Sequence, residues 1–175
     1  MSLDPEGVLK EIVPTTEDER WMKRALKWAV KAYKSGEVPV GAVLVHQGEE
    51  IASGYNQVEL LRDATAHAEM LCLTSGQEVY GDWRLEECTL YTTIEPCAMC
   101  AGALLLTRVP RLVWGAPDLR HGANGSWVDL FAQRHPTHTV EITSGVLDAY
   151  CGRLMQEFFR ERRREHARED GDDSR

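Results

Sequence analysis

Long apolar runs are missing from this chain. None approaches the roughly 20 residues needed to span a bilayer, and the first residues lack the basic-then-apolar layout of a secretory leader. A membrane role is therefore not expected, and the cytoplasm is the expected location. Cysteine is sparse and odd in number: Cys72, Cys88, Cys97, Cys100 and Cys151. That count argues against a disulfide framework and for reduced thiols, two of them close enough to share a metal. Internal repeats and long low-complexity linkers are absent too, so 175 residues with 43% hydrophobic content read most simply as one globular domain. Positive charge is also in deficit. The net charge of −8 disfavours nucleic acid as a partner on its face. Distribution matters more than the sum, however. Arg160, Arg162, Arg163, Arg164 and Arg168 form a strongly basic stretch, and the acidic excess lies elsewhere, including Glu169, Asp170, Asp172 and Asp173.

Residues 1–14 read as a flexible arm ending at Pro14, 15–168 as the folded domain and 169–175 as a disordered acidic tail. Thr16 and Glu19 have the spacing of a capping box. Behind them Met22, Leu26, Ala29 and Tyr33 recur at helical spacing, and Gly36 supplies a stop. Residues 38–46 read as a buried strand, Gln47-Gly48 as a turn and 51–55 as its antiparallel partner. A loop over 56–64 leads to Thr65, the expected N-cap of a helix over 66–74. A strand over 89–93 precedes Pro96, which suits the first turn of a helix over 97–106. Strands over 112–115 and 139–143 follow, separated by a glycine-rich loop. Leu147, Cys151, Leu154, Met155 and Phe158 then give the apolar stripe of a last helix. Five strands interspersed with helices predict an α/β/α sandwich, with helices on both faces of a central mixed sheet.

Two short segments carry chemistry: His67-Ala68-Glu69 and Pro96-Cys97-Ala98-Met99-Cys100. One imidazole and two thiolates suit zinc, and three protein ligands leave a fourth tetrahedral position open, as in catalytic sites. The pattern H-x-E…P-C-x-x-C is a signature of zinc deaminases acting on nucleobases. Cys97 and Cys100 are three apart at a helix start, so both sulfurs emerge on one side of the first turn. The positive helix end favours thiolate there. His67 is placed in the first turn of its own helix. Glu69, two residues on, does not share its face and suits a separate role, taking a proton from water and returning it to the base. One carboxylate acting as base and then acid contributes roughly 10²–10⁴ in rate.

Plainer readings stand beside these. A Cys-x-x-Cys pair is often half of a closed structural zinc site, which would need a fourth ligand from Cys72, Cys88 or Cys151. Cys72 and Cys151 fall on apolar helix faces and read as core. His46, His121, His135, His138 and His166 lack such company and are given no metal role. The arginine run, taken by itself, is more often a solvated helix face than an RNA surface, and Trp21, Trp28 and Tyr33 read as packing.

Over 38–164 the chain resembles the bacterial tRNA-specific adenosine deaminases, within the cytidine and deoxycytidylate deaminase superfamily. The segments that carry the resemblance are 37–45, 65–69, 95–103, 115–118, 122–126 and 158–163. The zinc motif is common to the superfamily, whereas the glycine-rich loop and the Phe158-Phe159-Arg160-Glu161-Arg162-Arg163 segment are more particular to the tRNA branch. Departures from the family pattern stand at Val58, Ala64 and Arg120. The resemblance implies a cytidine-deaminase-like sandwich, a homodimer, and conversion of the wobble adenosine to inosine in a tRNA anticodon arm. It also implies one Zn²⁺ per subunit held by His67, Cys97 and Cys100, with Glu69 as proton shuttle. Asn56 matches the asparagine that bonds the extruded base, Asp118 an acidic residue beside the anticodon loop, and Arg160, Arg162 and Arg163 contacts to RNA phosphates. Two other functions remain open: deamination of a free base or nucleoside such as guanine or cytidine, and a non-catalytic RNA-binding subunit with structural zinc. The motif does not separate the first from the tRNA reading; Glu69 speaks against the second.

Overall fold

The computed structural model describes residues 4–132 and 134–172. Its centre is a five-stranded sheet in the order β2-β1-β3-β4-β5. Strands β1 (Gly41–His46) and β2 (Glu49–Tyr55) form an antiparallel hairpin. Gln47 and Gly48 both adopt positive φ at its tip, the two-residue turn that matches strand twist. Strand β3 (Cys88–Ile94) runs antiparallel to β1 and parallel to β4 (Arg111–Ala116), which is parallel in turn to β5 (Glu141–Thr143). The sheet is mixed and has helices on both sides, as expected from the sequence.

Alternation along the strands sorts the core into two layers. Ala42, Leu44, Leu90, Leu112 and Trp114 face one side, against α4 (Ala68–Tyr80) and α5 (Ala98–Leu106). Val43, Val45, Tyr91 and Val113 face the other, against α2 (Glu17–Lys34) and α6 (Asp148–Asp172). The capping box of α2 is complete, with Glu19 N–H donating to Thr16 Oγ1 at 3.1 Å and Thr16 N–H to Glu19 at 3.3 Å. Among the described residues no helix is long and apolar enough to cross a membrane.

Several expectations need correction. Residues Pro5–Glu11 form helix α1, capped by Asp4, where a flexible arm was expected. Leu9 and Ile12 join the core of α2 and α6, and Lys23 donates to the Ile12 carbonyl, so local packing holds the segment. At the other end α6 continues to Asp172, past the expected start of the tail. Residues 1–3 and 173–175 lie outside the described residues. The expected loop 56–64 contains a one-turn helix, α3 (Val58–Leu61). Helix α4 begins one residue after His67, which is its N-cap, while Thr65 bonds back to Asp63 instead. The same helix runs on to Tyr80 because Gly76 lets it lie against Leu44, and it ends at Gly81. Gly54 in β2 allows the opposite end of α4 to settle on the sheet: a Cβ there would stand 2.6 Å from the Ala68 carbonyl.

One polar clasp joins three strands to α2. Asp18 accepts from both Arg111 Nη atoms at 2.9 and 2.8 Å and from Tyr91 Oη at 2.9 Å, while Arg111 also donates to Thr143. The Arg111 hydrogen bonds hold the Asp18 carboxyl below its usual range. A carboxyl depressed on folding stabilises above its unfolded pKa of about 3.9, and that contribution disappears as pH falls through the folded value. Asp18→Asn is therefore expected to lower stability by about 1–2 kcal/mol at pH 7. In urea titrations the gap between variant and wild type should narrow progressively as pH falls below about 4.

Candidate active site

The candidate site sits where α4 and α5 begin, at the end of the sheet reached by β2 and β3. His67 caps α4 and Cys97 caps α5, both in extended backbone and neither making a side-chain capping hydrogen bond. An N-cap side chain ordinarily accepts from the first-turn N–H groups. Here the two side chains turn toward each other instead. His67 Nδ1 lies 3.5 Å from Cys97 Sγ and 3.6 Å from Cys100 Sγ, and the two sulfurs are 3.7 Å apart.

These separations are those of ligands on one tetrahedral zinc ion. Bond lengths of about 2.3 Å to sulfur and 2.0–2.1 Å to nitrogen place sulfurs about 3.8 Å apart and sulfur and nitrogen about 3.6 Å apart. Among the described residues these three donors form the cluster without a fourth. Cys72, Cys88 and Cys151 are buried free thiols in or beside the apolar layers, and burial pushes each of them up, Cys88 to about 11 and Cys151 to about 12. No cysteine is left to close the site.

Proton affinities in the cluster follow from crowding. A hydrogen bond from Cys100, and a second from His67, bring Cys97 down to about 4. Its contact with Cys97 and burial push Cys100 up, and the Cys97 hydrogen bond raises His67. Cys97 is thus the thiolate of the three groups, with His67 as its hydrogen-bonded partner. Glu69 is buried, with 3% of its surface exposed, and lies outside the three-donor cluster. Burial raises its carboxyl to about 7.

Two further carboxylates, unnoticed in the sequence, organise the surrounding loops. Glu95 closes β3 and is 1% exposed. It accepts from the backbone N–H of Asn124 at 2.8 Å, of Ser126 at 3.2 Å and of Asp118 at 3.2 Å, and from the Ser126 hydroxyl. Gly122 is forced by this arrangement, since a Cβ there would collide with the Glu95 carboxylate. Glu37 is equally buried and accepts from Asn56 Nδ2 at 3.1 Å, Leu60 N–H at 2.7 Å and Glu59 N–H at 3.3 Å. The available signal was an acid embedded among apolar or motif residues, in Ile94-Glu95-Pro96 and Gly36-Glu37-Val38. A charge at such a place needs partners when buried.

Asn56 is buried at the end of β2, and Gln57 N–H donates to the Ala66 carbonyl, bringing it beside the start of α4. Asp118 turns into its own loop, accepting from Arg120 and His121 N–H, and its charge acts on His67. Arg160, Arg162 and Arg163 are exposed on α6, away from the three-donor cluster in sequence; Arg160 pairs with Glu157 and Arg162 with Glu165.

Residues 15–116 match the family model of the cytidine and deoxycytidylate deaminase zinc-binding region. The chain belongs to this family. Within the deaminases, a tRNA-specific adenosine deaminase of Bacillus subtilis is 48% identical over 149 residues, which cover 85% of this chain and 92% of that one. A chloroplastic tRNA(adenine(34)) deaminase of Arabidopsis thaliana is 51% identical over 160 residues, covering 82% of this chain but 12% of that much longer protein. A solved structure from work on A-to-I editing by tRNA:A34 deaminases at the wobble position of transfer RNA superposes with a TM-score of 0.74. It is 39% identical, over 77% of this chain and 98% of that chain. The deaminase fold and its zinc-binding character are thereby shown for this chain.

The Glu95 hub yields a structural expectation. Glu95→Ala strands four donors and should cost roughly 2–4 kcal/mol. Hydrogen exchange at the Asn124 and Ser126 amides should accelerate well beyond that of the β3–β4 ladder. Equal protection in variant and wild type would show that the loop holds itself.

Proposed function

We propose that this chain is a zinc-dependent hydrolase that converts adenosine to inosine at the wobble position of a tRNA anticodon loop. The observation that carries the reading is the buried Glu69 carboxylate beside, but outside, three donors at zinc spacing. A structural zinc site has no use for such an acid. The names of the relatives, tRNA-specific adenosine deaminase and tRNA(adenine(34)) deaminase, support the substrate.

In this reading His67, Cys97 and Cys100 hold one zinc per subunit. Zinc bound there supplies a Lewis acid that brings the pKa of water from 15.7 to about 7. Glu69 takes the proton released as water adds to C6 of adenine and passes it to the adjacent ring nitrogen. It then carries the remaining proton of the new C6 hydroxyl to the exocyclic amine, which leaves as ammonia as the carbonyl forms. One C–O bond forms, one C–N bond breaks, and no electrons are exchanged. Asn56, its amide nitrogen already engaged by Glu37, offers its carbonyl oxygen to the extruded base. Asp118 lies in the loop fixed by Glu95 and faces the anticodon loop beside that base. Arg160, Arg162 and Arg163 contact phosphates. A loop base is partly unstacked already, so drawing it into a pocket costs little.

A homodimer and a cytoplasmic site of action complete the proposal. Exposed Leu106, Leu119 and Trp127 are apolar surface for a second copy to cover.

Glu69→Ala should retain about one zinc per chain by elemental analysis and the wild-type fold. Its inosine formation on an anticodon stem-loop should fall at least roughly 10²-fold. Unchanged turnover would remove Glu69 from the chemistry. Run on the wild type, the same assay with free guanine, adenosine and cytidine tests the substrate; turnover of those compounds alone would reject tRNA. Reversing Arg162 and Arg163 to Glu should weaken stem-loop binding and flatten its salt dependence by about two charges, with zinc content intact.

A further inference from the structure

The net charge of −8 conceals a second basic surface. Beyond Glu17, every exposed residue of α2 is a cation: Arg20, Arg24, Lys27, Lys31 and Lys34. Their spacing alternates four and three residues, which places them in one stripe along the helix, over about 21 Å. A face kept only for solvation mixes signs, the more so in a chain with 28 acidic and 20 basic residues.

Arg24 pairs with Glu50 and Lys34 with Glu6, but both cations are about half exposed, and such surface pairs are weak. Among the described residues, Arg20 and Lys27 have no carboxylate within ion-pair distance. Lys31 is placed differently. Its ammonium lies 5.0 Å from the Trp28 ring centroid and 4.8 Å from that of Tyr55, and these rings stack at 6.1 Å and 8°. Ring faces position an ammonium without neutralising it. What they hold in place here is a positive charge with no carboxylate at ion-pair distance among the described residues.

The stripe also points somewhere. Tyr55 immediately precedes Asn56, and Glu37, three residues past the end of α2, bonds the Asn56 amide. On its other flank the same end of α2 meets α6: Tyr33 packs on Phe158 at 5.5 Å and donates to Glu161 at 2.6 Å. The track thus runs from the rim of the candidate site along α2, beside the helix that carries Arg160, Arg162 and Arg163. Its apolar face is buried against the sheet, so α2 cannot insert into a lipid surface.

We infer that this face of α2 is a phosphate-binding track for the RNA whose loop base enters the site, with Lys31 as its fixed point. The inference rests on the tRNA reading above and adds a surface to it. Direct contact with several phosphates would make binding salt-dependent in proportion to the cations used.

The test is the triple variant Arg20→Gln, Lys27→Gln and Lys31→Gln in the full chain. Arg24 and Lys34 stay in place, so that no acid is left unpaired. Anisotropy with a labelled anticodon stem-loop between 50 and 200 mM salt should show a log–log slope shallower by about two to three and binding roughly 10- to 100-fold weaker at the low-salt end. KM should rise while kcat at saturating RNA and zinc content stay at wild-type values. Arg84→Gln, a control at the far end of α4, should leave the slope unchanged. Wild-type slope and affinity in the triple variant, with an active wild type, overturn the track alone. An equal loss in Arg84→Gln also overturns it, since the effect would then be one of overall charge. A wild type that neither binds nor deaminates the stem-loop overturns the substrate reading and the track together.

Discussion

Two helix N-termini meet at one point, and the rest of the structure serves that meeting. His67 and Cys97 are caps, not members of the helices they begin, so their donor atoms project from chain that is still extended. Cys100 joins from one turn further on. Both helices lie on the same face of the sheet, which is why 3.5 and 3.6 Å separations arise between groups 30 or more residues apart. The unsatisfied first-turn N–H groups of each helix add positive potential where thiolate charge is wanted. The two-residue link from β3 and the α3-containing loop from β2 then need only deliver the caps, and the sheet fixes their distance.

Around that point the protein uses buried acids as loop anchors. Glu95 gathers the 118–126 segment and Glu37 gathers the turn containing α3, each with main-chain donors. An isolated carboxylate in such a place would be costly. Supplied with three or four donors, it becomes a condition on loop shape: the loop that satisfies the acid is the loop that forms. The two loops so fixed are those bearing Asn56 and Asp118. Their rigidity comes from the interior, not from contacts at the surface.

Much of this was legible in the chain. Patterns read locally carried over: the Thr16–Glu19 box, the Gln47-Gly48 hairpin, the five strands and their layering, and a motif whose donors the fold brings together. What escaped was set by tertiary context. Thr65 has the chemistry of a cap, but Asp63 occupies its hydroxyl, and His67 takes the position without bonding its helix. Pro5–Glu11 looked unattached because its buried residues, Val8 and Leu9, with Ile12 just beyond the helix, are too few to show a period. Glu37 and Glu95 were given no role, because the burial that makes them anchors comes only with the fold. The cations of α2 vanish into a net negative sum; only exposure, known from the fold, separates them from their neighbours.

Gly54 ties these themes together. With no side chain, β2 lets the opening turn of α4 rest directly on its backbone, at the turn that His67 caps. The height of the imidazole above the sheet is thus a property of an edge strand thirteen positions upstream, outside any recognisable motif. Coordination geometry in this protein is calibrated by a missing methyl group, and an inventory of ligands alone would overlook the residue that sets it.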